Sequence, residues 1–329
     1  MLNRLLIGKG NAKYPVFIGK GACSADTFHS LISKEKKILL LTDKNIPNLY
    51  ISKIKRILTS QDIKVYVYEI SPGEKSKSFV NFQKIHNFLS KNTFLRTDGV
   101  VACGGGVVGD LSGFVASTYM RGISYFQVPT SLLAQVDSSV GGKTAINLPS
   151  GKNLVGAFYN PKGVFIDTDF LDSLGEREYK SGLAEIIKHA LIDDKNFAKY
   201  LLKYSKLILA RDSSHLKKII TQSLKIKAKI VSIDEKEQGV RAFLNFGHTV
   251  GHALEHFFGS QLMHGEAIAY GMAYESKMSL KTLKLRKNDY KLINDILQSY
   301  GFDQQIHAPF EKLKPFMLID KKNTADQLN

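Results

Sequence analysis

With 329 residues, 43% of them apolar and 23% charged, the chain has the balance of a globular protein and more length than one core serves, so about two domains are expected. No apolar run reaches the roughly eighteen residues of a helical membrane span, and Gly, Lys and Pro interrupt the N-terminus before a signal peptide could develop. Two isolated cysteines, Cys23 and Cys103, argue against a disulfide framework and for the cytoplasm, while the formal charge of +16 comes from scattered lysines without interleaved aromatics, so neither a nucleic-acid nor a membrane partner is expected.

In chain order, the alternating N-terminus reads as strands, and KKILLLTD, ending at Asp43, as a buried strand. A helical period follows from Ile46 to Leu58. A second strand spans Asp62 to Ile70. The Pro-Gly turn carrying Glu74 and Lys77 leads into a helix to about Lys91, and Thr97 to Cys103 is a third strand. Such alternation predicts a mostly parallel sheet with ligands at the carboxyl ends of its strands. Gly104-Gly105-Gly106-Val107-Val108-Gly109-Asp110 stands at one of those ends, before a helical pattern. It contains GxGxxG, whose glycines let backbone amides approach phosphates. The usual dinucleotide fingerprint opens the first βα unit instead, so the run indicates a phosphate-bearing cofactor on a different α/β arrangement, with Asp43 as an acid near a ribose.

A strand and a Pro-Thr helix start follow from Ile123 to Gln135. Val136 to Pro161 has little periodicity, but Lys143, Lys152 and Asn153 offer the donors an anionic, hydroxylated ligand needs, which favours a binding surface over a linker. Val164 to Phe170 is read as the last strand. Beyond about Leu174 nearly every segment through Tyr300 has helical period, placing the domain boundary at 172/173. On the apolar helix Ser181–Ile192, Glu185 and Lys188 form either a surface ion pair or a buried carboxylate site. Ser213 to Ile233 is a long basic helix holding Lys227. Glu237, Arg241 and Asn245 join it to NFGHTVGHALEHFFGSQLMHGE, Asn245 to Glu266, which carries four of the nine histidines. His248, His252 and His256 fall at i, i+4 and i+8 on one helix face flanked by Glu255, and His264 follows the Gly259 turn. A divalent metal suits this set, although spacing leaves open which of them bind.

GGGVVGDLSGFVAS, VPTSLLAQVDSSVGGKTA, GKNLVGAFYNP, SGLAEIIKHA, LNFGHTVGHALE and HGEA, in this order from about Tyr14 to Lys322, resemble the 3-dehydroquinate synthase family. The resemblance implies an α/β N-terminal domain with a mostly parallel, Rossmann-like, NAD-binding sheet. It also implies an all-α C-terminal metal-binding domain, an active site in the interdomain cleft, and a homodimer in the shikimate pathway. The implied reaction converts 3-deoxy-D-arabino-heptulosonate 7-phosphate to 3-dehydroquinate and phosphate, with NAD regenerated in each turnover and one divalent ion, zinc or cobalt. Implied metal ligands are Glu185, His248 and His264. His252, Lys143, Lys188, Glu237 and Asn245 are implied as catalytic, and Arg121, Asp137, Lys152, Asn153, Lys227 and Arg241 as substrate contacts. Cofactor contacts are implied for Asp43, Glu74, Lys77, Gly105, Gly106, Asp110 and Thr130. Ser131 stands where the family usually has a second Thr and keeps the hydroxyl.

The family's MxxDKK segment corresponds to Met317 through Lys322, and relatives continue with a further apolar stretch, so a shortened helical domain and reduced stability are expected. Another NAD-dependent sugar-phosphate cyclase, a metal-dependent polyol dehydrogenase and an impaired paralogue are the competing readings.

Overall fold

Strand β3 (Lys37–Asp43) sends Ile38 and Leu40 to one face of its sheet and Leu39 and Leu41 to the other, and all four are fully buried. β5 (Gly99–Gly104) does the same with Val101 and Cys103 against Val100 and Ala102. Strands buried on both faces need helices on both. The computed structural model describes residues 2–234, 237, 239–282, 285–302 and 308–319. Two compact units divide the chain, Met1–Leu174 and Gly175–Asn329.

The first unit holds a seven-stranded sheet in the order β1 (Asn3–Ile7), β2 (Tyr14–Ile18), β9 (Gly163–Ile166), β6 (Ser124–Pro129), β5, β3 and β4 (Lys64–Ile70). β1 and β2 pair antiparallel and every other neighbour is parallel. On one face, Phe28 of α1 (Ala25–His29) and Ile51, Ile54 and Leu58 of α2 (Asn48–Thr59) cover Ile38, Leu40 and Val101. On the other, α3 (Phe79–Lys91) and α4 (Gly106–Thr118) contribute Ile85, Leu89, Val108, Leu111 and Val115.

The structure corrects three readings in this unit. Val136 to Pro161 is largely a hairpin, β7 (Lys143–Leu148) and β8 (Gly151–Phe158), preceded by a π-helical turn at Ala134–Ser138. β8 is exposed at most positions, so it carries no apolar alternation to reveal it. The last strand stops at Ile166 rather than Phe170. The buried carboxylate of Asp167 accepts hydrogen bonds from the Gly21 and Cys23 amides at 2.9 and 3.1 Å, and the chain turns there into a 3₁₀ helix, Thr168–Ser173. The strand ending at Ile70 starts at Lys64, after Asp62 at φ 60°.

The second unit is helical among its described residues: α5 (Glu176–Asp193), α6 (Lys195–Lys203), α7 (Ser205–Leu209), α8 (Ser213–Ile233), α9 (His248–Phe258), α10 (His264–Thr282), α11 (Lys287–Ser299) and α12 (Phe310–Ile319). Val250, Ala253 and Leu254 of α9 pack with Ala267 of α10 and with Leu313 and Met317 of α12. Asp320, Lys321 and Lys322 of the MxxDKK segment lie outside the described residues. No described helix is long and apolar enough to cross a membrane.

Candidate active site

Three helices of the second unit meet where backbones approach closely. A Cβ on Gly265 would stand 2.3 Å from Ser181 Cα, and one on Gly271 would stand 1.9 Å from the Gly247 carbonyl oxygen. Only glycine permits either contact. The Gly265 amide also donates to the buried Ser181 Oγ at 2.9 Å, joining the start of α10 to α5 one turn before Glu185. Gly247, at φ 81°, lets the chain enter α9 in the left-handed conformation, so that His248 is the first residue of that helix. His264 is likewise the first residue of α10.

These approaches bring Glu185, His248 and His264 together, with one ligand atom of each within 4.8 Å of the others. Glu185 is fully buried. Among the described residues its Oε1 has no hydrogen bond of normal geometry, and it stands 3.8 Å from His248 Nε2 and 3.5 Å from His264 Nε2. Three ligand atoms this close to one another fit a divalent ion, and two imidazoles with a carboxylate suit zinc, cobalt and similar metals. The other ring nitrogens are held. His248 Nδ1 donates to the Phe246 carbonyl at 3.3 Å and His264 Nδ1 to Glu255 at 3.1 Å, so each Nε2 is left as the metal-facing atom.

Electrostatics favour a cation at this centre. Burial alone would raise the Glu185 pKa, but the buried Lys188 ammonium paired with it and the two imidazoles hold it well below the usual carboxylate range. Burial alone would lower the His264 pKa, yet the Glu185 and Glu255 carboxylates push it up to about 10. The Glu185–Lys188 pair is therefore the buried carboxylate alternative and not a surface salt bridge.

The row of three stacked histidines splits. The His252 ring lies 5.2 Å from His248 and 6.4 Å from His264, beside the trio, whereas His256 stacks on Phe316 at 5.4 Å. Lys227 and Arg241 are buried in the same unit, and the Arg241 amide donates to Asp234. Glu237 takes a positive φ of 60° in the turn after α8, and Asn245 is half-buried.

In the first unit, Lys77, buried in the turn after β4, pairs with Asp110 on α4 and donates to the Asn153 side chain on β8. Glu74 accepts from Asn147 at 2.7 Å, and Asn147 accepts from the Asn153 amide at 2.9 Å. Gly105 and Gly106 form the start of α4, and the buried Thr130 donates its amide to the Gly104 carbonyl at 3.0 Å. Burial raises the Asp110 pKa, with Lys77 opposing it, and burial likewise raises that of Asp43 at the end of β3. Lys143 and Lys152 are exposed on the hairpin, Asp137 lies within the π-helical turn, and Arg121 lies exposed in a turn at φ 65°. Three cofactor candidates, Glu74, Lys77 and Asp110, thus cluster with Asn153, Gly106 opens the helix that carries Asp110, and Asp43 ends β3. Sequence reasoning overlooked Ser181 and Glu275, the latter on α10; neither belongs to a spacing pattern, and only the helix crossings reveal them.

A parallel α/β unit with a glycine-rich strand end, together with a helical unit bearing a Glu-His-His trio, defines a metal-dependent enzyme acting with a phosphate-bearing cofactor. Residues 67–181 match the family described as 3-dehydroquinate synthase N-terminal, and residues 182–323 match its C-terminal counterpart. A 3-dehydroquinate synthase of Acidithiobacillus ferrooxidans is 42% identical over 98% of this chain and 89% of its own length. One of Thermodesulfovibrio yellowstonii is 43% identical over 99% and 92%. Among solved structures, a 2-deoxy-scyllo-inosose synthase complexed with carbaglucose-6-phosphate, NAD+ and Co2+ superposes with a TM-score of 0.89 at 27% identity, covering 99% of this chain and 89% of that one. The chain belongs to the 3-dehydroquinate synthase family.

Proposed function

We propose that this enzyme converts 3-deoxy-D-arabino-heptulosonate 7-phosphate to 3-dehydroquinate and phosphate, as a cytoplasmic homodimer with NAD and one zinc or cobalt ion. The observation that carries the reading is the convergence of Glu185, His248 and His264 from three helices. Glu74, Lys77, Gly105, Gly106, Asp110 and Thr130 would hold the dinucleotide, with Asp43 near a ribose. When bound, the metal would polarise the ring hydroxyl and the nicotinamide would supply a hydride acceptor for the carbon that bears it, the resulting ketone making the neighbouring C–H acidic enough for phosphate elimination.

The side chains divide the remaining work. Lys188 balances the Glu185 charge in a buried setting, where an unpaired carboxylate would be costly. His252, beside the trio, is suited to relay a proton to the leaving phosphate. Lys143, Glu237 and Asn245 complete the proposed catalytic set. Arg121, Lys152, Lys227 and Arg241 supply cations for the carboxylate and phosphate, and Asp137 and Asn153 supply partners for hydroxyls. Lys227 and Arg241 are buried, where a cation attracts an anionic group more strongly than at the surface, which favours this role. The test is phosphate release from the heptulosonate phosphate. It should require NAD, fall on chelation and leave no net NADH; stoichiometric NADH, or equal release from glucose 6-phosphate, would overturn the assignment.

A further inference from the structure

Both metal-facing histidines open a helix, so each stands at the positive end of a helix dipole, which disfavours a neighbouring divalent cation. Each helix start is met by a carboxylate. At α10 it is local: Glu266, in the first turn, accepts from the Met263 amide at 2.9 Å. At α9 a local carboxylate is lacking, because the N-cap position is Gly247, which has no side chain, and the first turn contains no acidic residue. The acceptor comes instead from the neighbouring helix. Glu275 of α10 takes the Gly247 amide on Oε2 at 2.6 Å and stands 3.5 Å from the Val250 amide with Oε1, so its two oxygens bracket the turn that begins with His248.

From this geometry we infer that Glu275 is a positioning residue for the metal site: it caps α9 from outside and holds His248 in the orientation that presents Nε2 to the ion. Two neighbouring constraints reinforce the arrangement. The glycine contact between Gly271 and Gly247 sets α10 against the start of α9 one turn before Glu275, and the Phe246 carbonyl fixes the His248 tautomer. Glu275 acts through His248. The inference rests on the reading of His248 as a metal ligand.

The test titrates Co2+ into metal-free full-length protein. E275Q keeps the shape but loses the charge and one acceptor, and it should weaken Co2+ affinity about 10- to 100-fold, while NADH binding is unchanged. D212N, which alters the cap of α8 in the same unit, should lower the melting temperature without changing Co2+ affinity. In an H248A background, E275Q should have no further effect on affinity. Wild-type affinity in folded E275Q, or additive losses in the double variant, would overturn the inference while leaving the ligand assignment intact. Wild-type affinity in H248A would remove the ligand assignment and the inference with it. Should E275Q not fold, amide exchange in the unaltered protein decides: coupling requires that Zn2+ slow exchange at Gly247 and Val250, and unchanged exchange refutes it.

Discussion

The two candidate sites are built in opposite ways. In the first unit, Lys77, Asp110, Asn153, Asn147 and Glu74 satisfy one another through a chain of ion pairs and hydrogen bonds. In the second, Glu185, His248 and His264 aim at a common centre without forming hydrogen bonds of normal geometry among themselves, and their outer atoms are fixed by Lys188, Phe246 and Glu255. A ligand at the first site has to compete with internal partners; a cation at the second meets donors already held in place. Removing a side chain should therefore cost mainly binding in the second unit and mainly fold stability in the first.

The largest effect is expected from His264→Ala. With one of three donors gone, Co2+ affinity should fall by orders of magnitude and phosphate release by at least roughly a hundredfold, with little change in the melting temperature. Retained activity after chelation would break the comparison at its strongest point. Gly271→Ala should follow. Its Cβ would displace the Gly247 carbonyl, overpacking the α9–α10 crossing by about 1–3 kcal/mol, read as a lower denaturation midpoint. Lys77→Met tests the other side. It leaves the Asp110 carboxylate without its cation and should destabilise the first unit by about 1–3 kcal/mol, raising the Asp110 pKa further, while Co2+ affinity stays unchanged. A large stability loss in His264→Ala with none in Lys77→Met would reverse the proposed division.

The same contrast explains what the sequence made legible. The apolar runs of β3 and β5, buried on both faces, announce a parallel sheet, and the glycine run marks the strand end at α4. The β7–β8 hairpin was hidden because β8 is largely solvent-exposed and so has no apolar pattern for a strand to show. At the metal site, spacing offered His248, His252 and His256 as equals. Their separation is a tertiary effect: α5 brings Glu185, α10 brings His264, and α12 takes the His256 ring onto Phe316. Glu275 was least visible of all, since its partner amides lie 25 or more residues away in the chain.

The smallest effect should come from acid. Asp212 caps α8, accepting from the Ser214 hydroxyl, the His215 ring and the Ser214 and His215 amides at 2.6 to 3.0 Å. These bonds, with the Ser214 hydroxyl first, hold its carboxyl well below the usual range. A carboxyl whose pKa is lowered by folding binds fewer protons in the folded chain than in the unfolded one. Its contribution is then complete above the unfolded value of about 3.9 and declines as the pH falls towards the folded value. Asp212→Asn keeps the shape but removes the titration, so the melting temperatures of the two proteins should differ most near neutral pH and converge below about pH 4. A gap that persists unchanged into acid would mean that the cap acts through its geometry alone and that its charge contributes nothing to the helical unit.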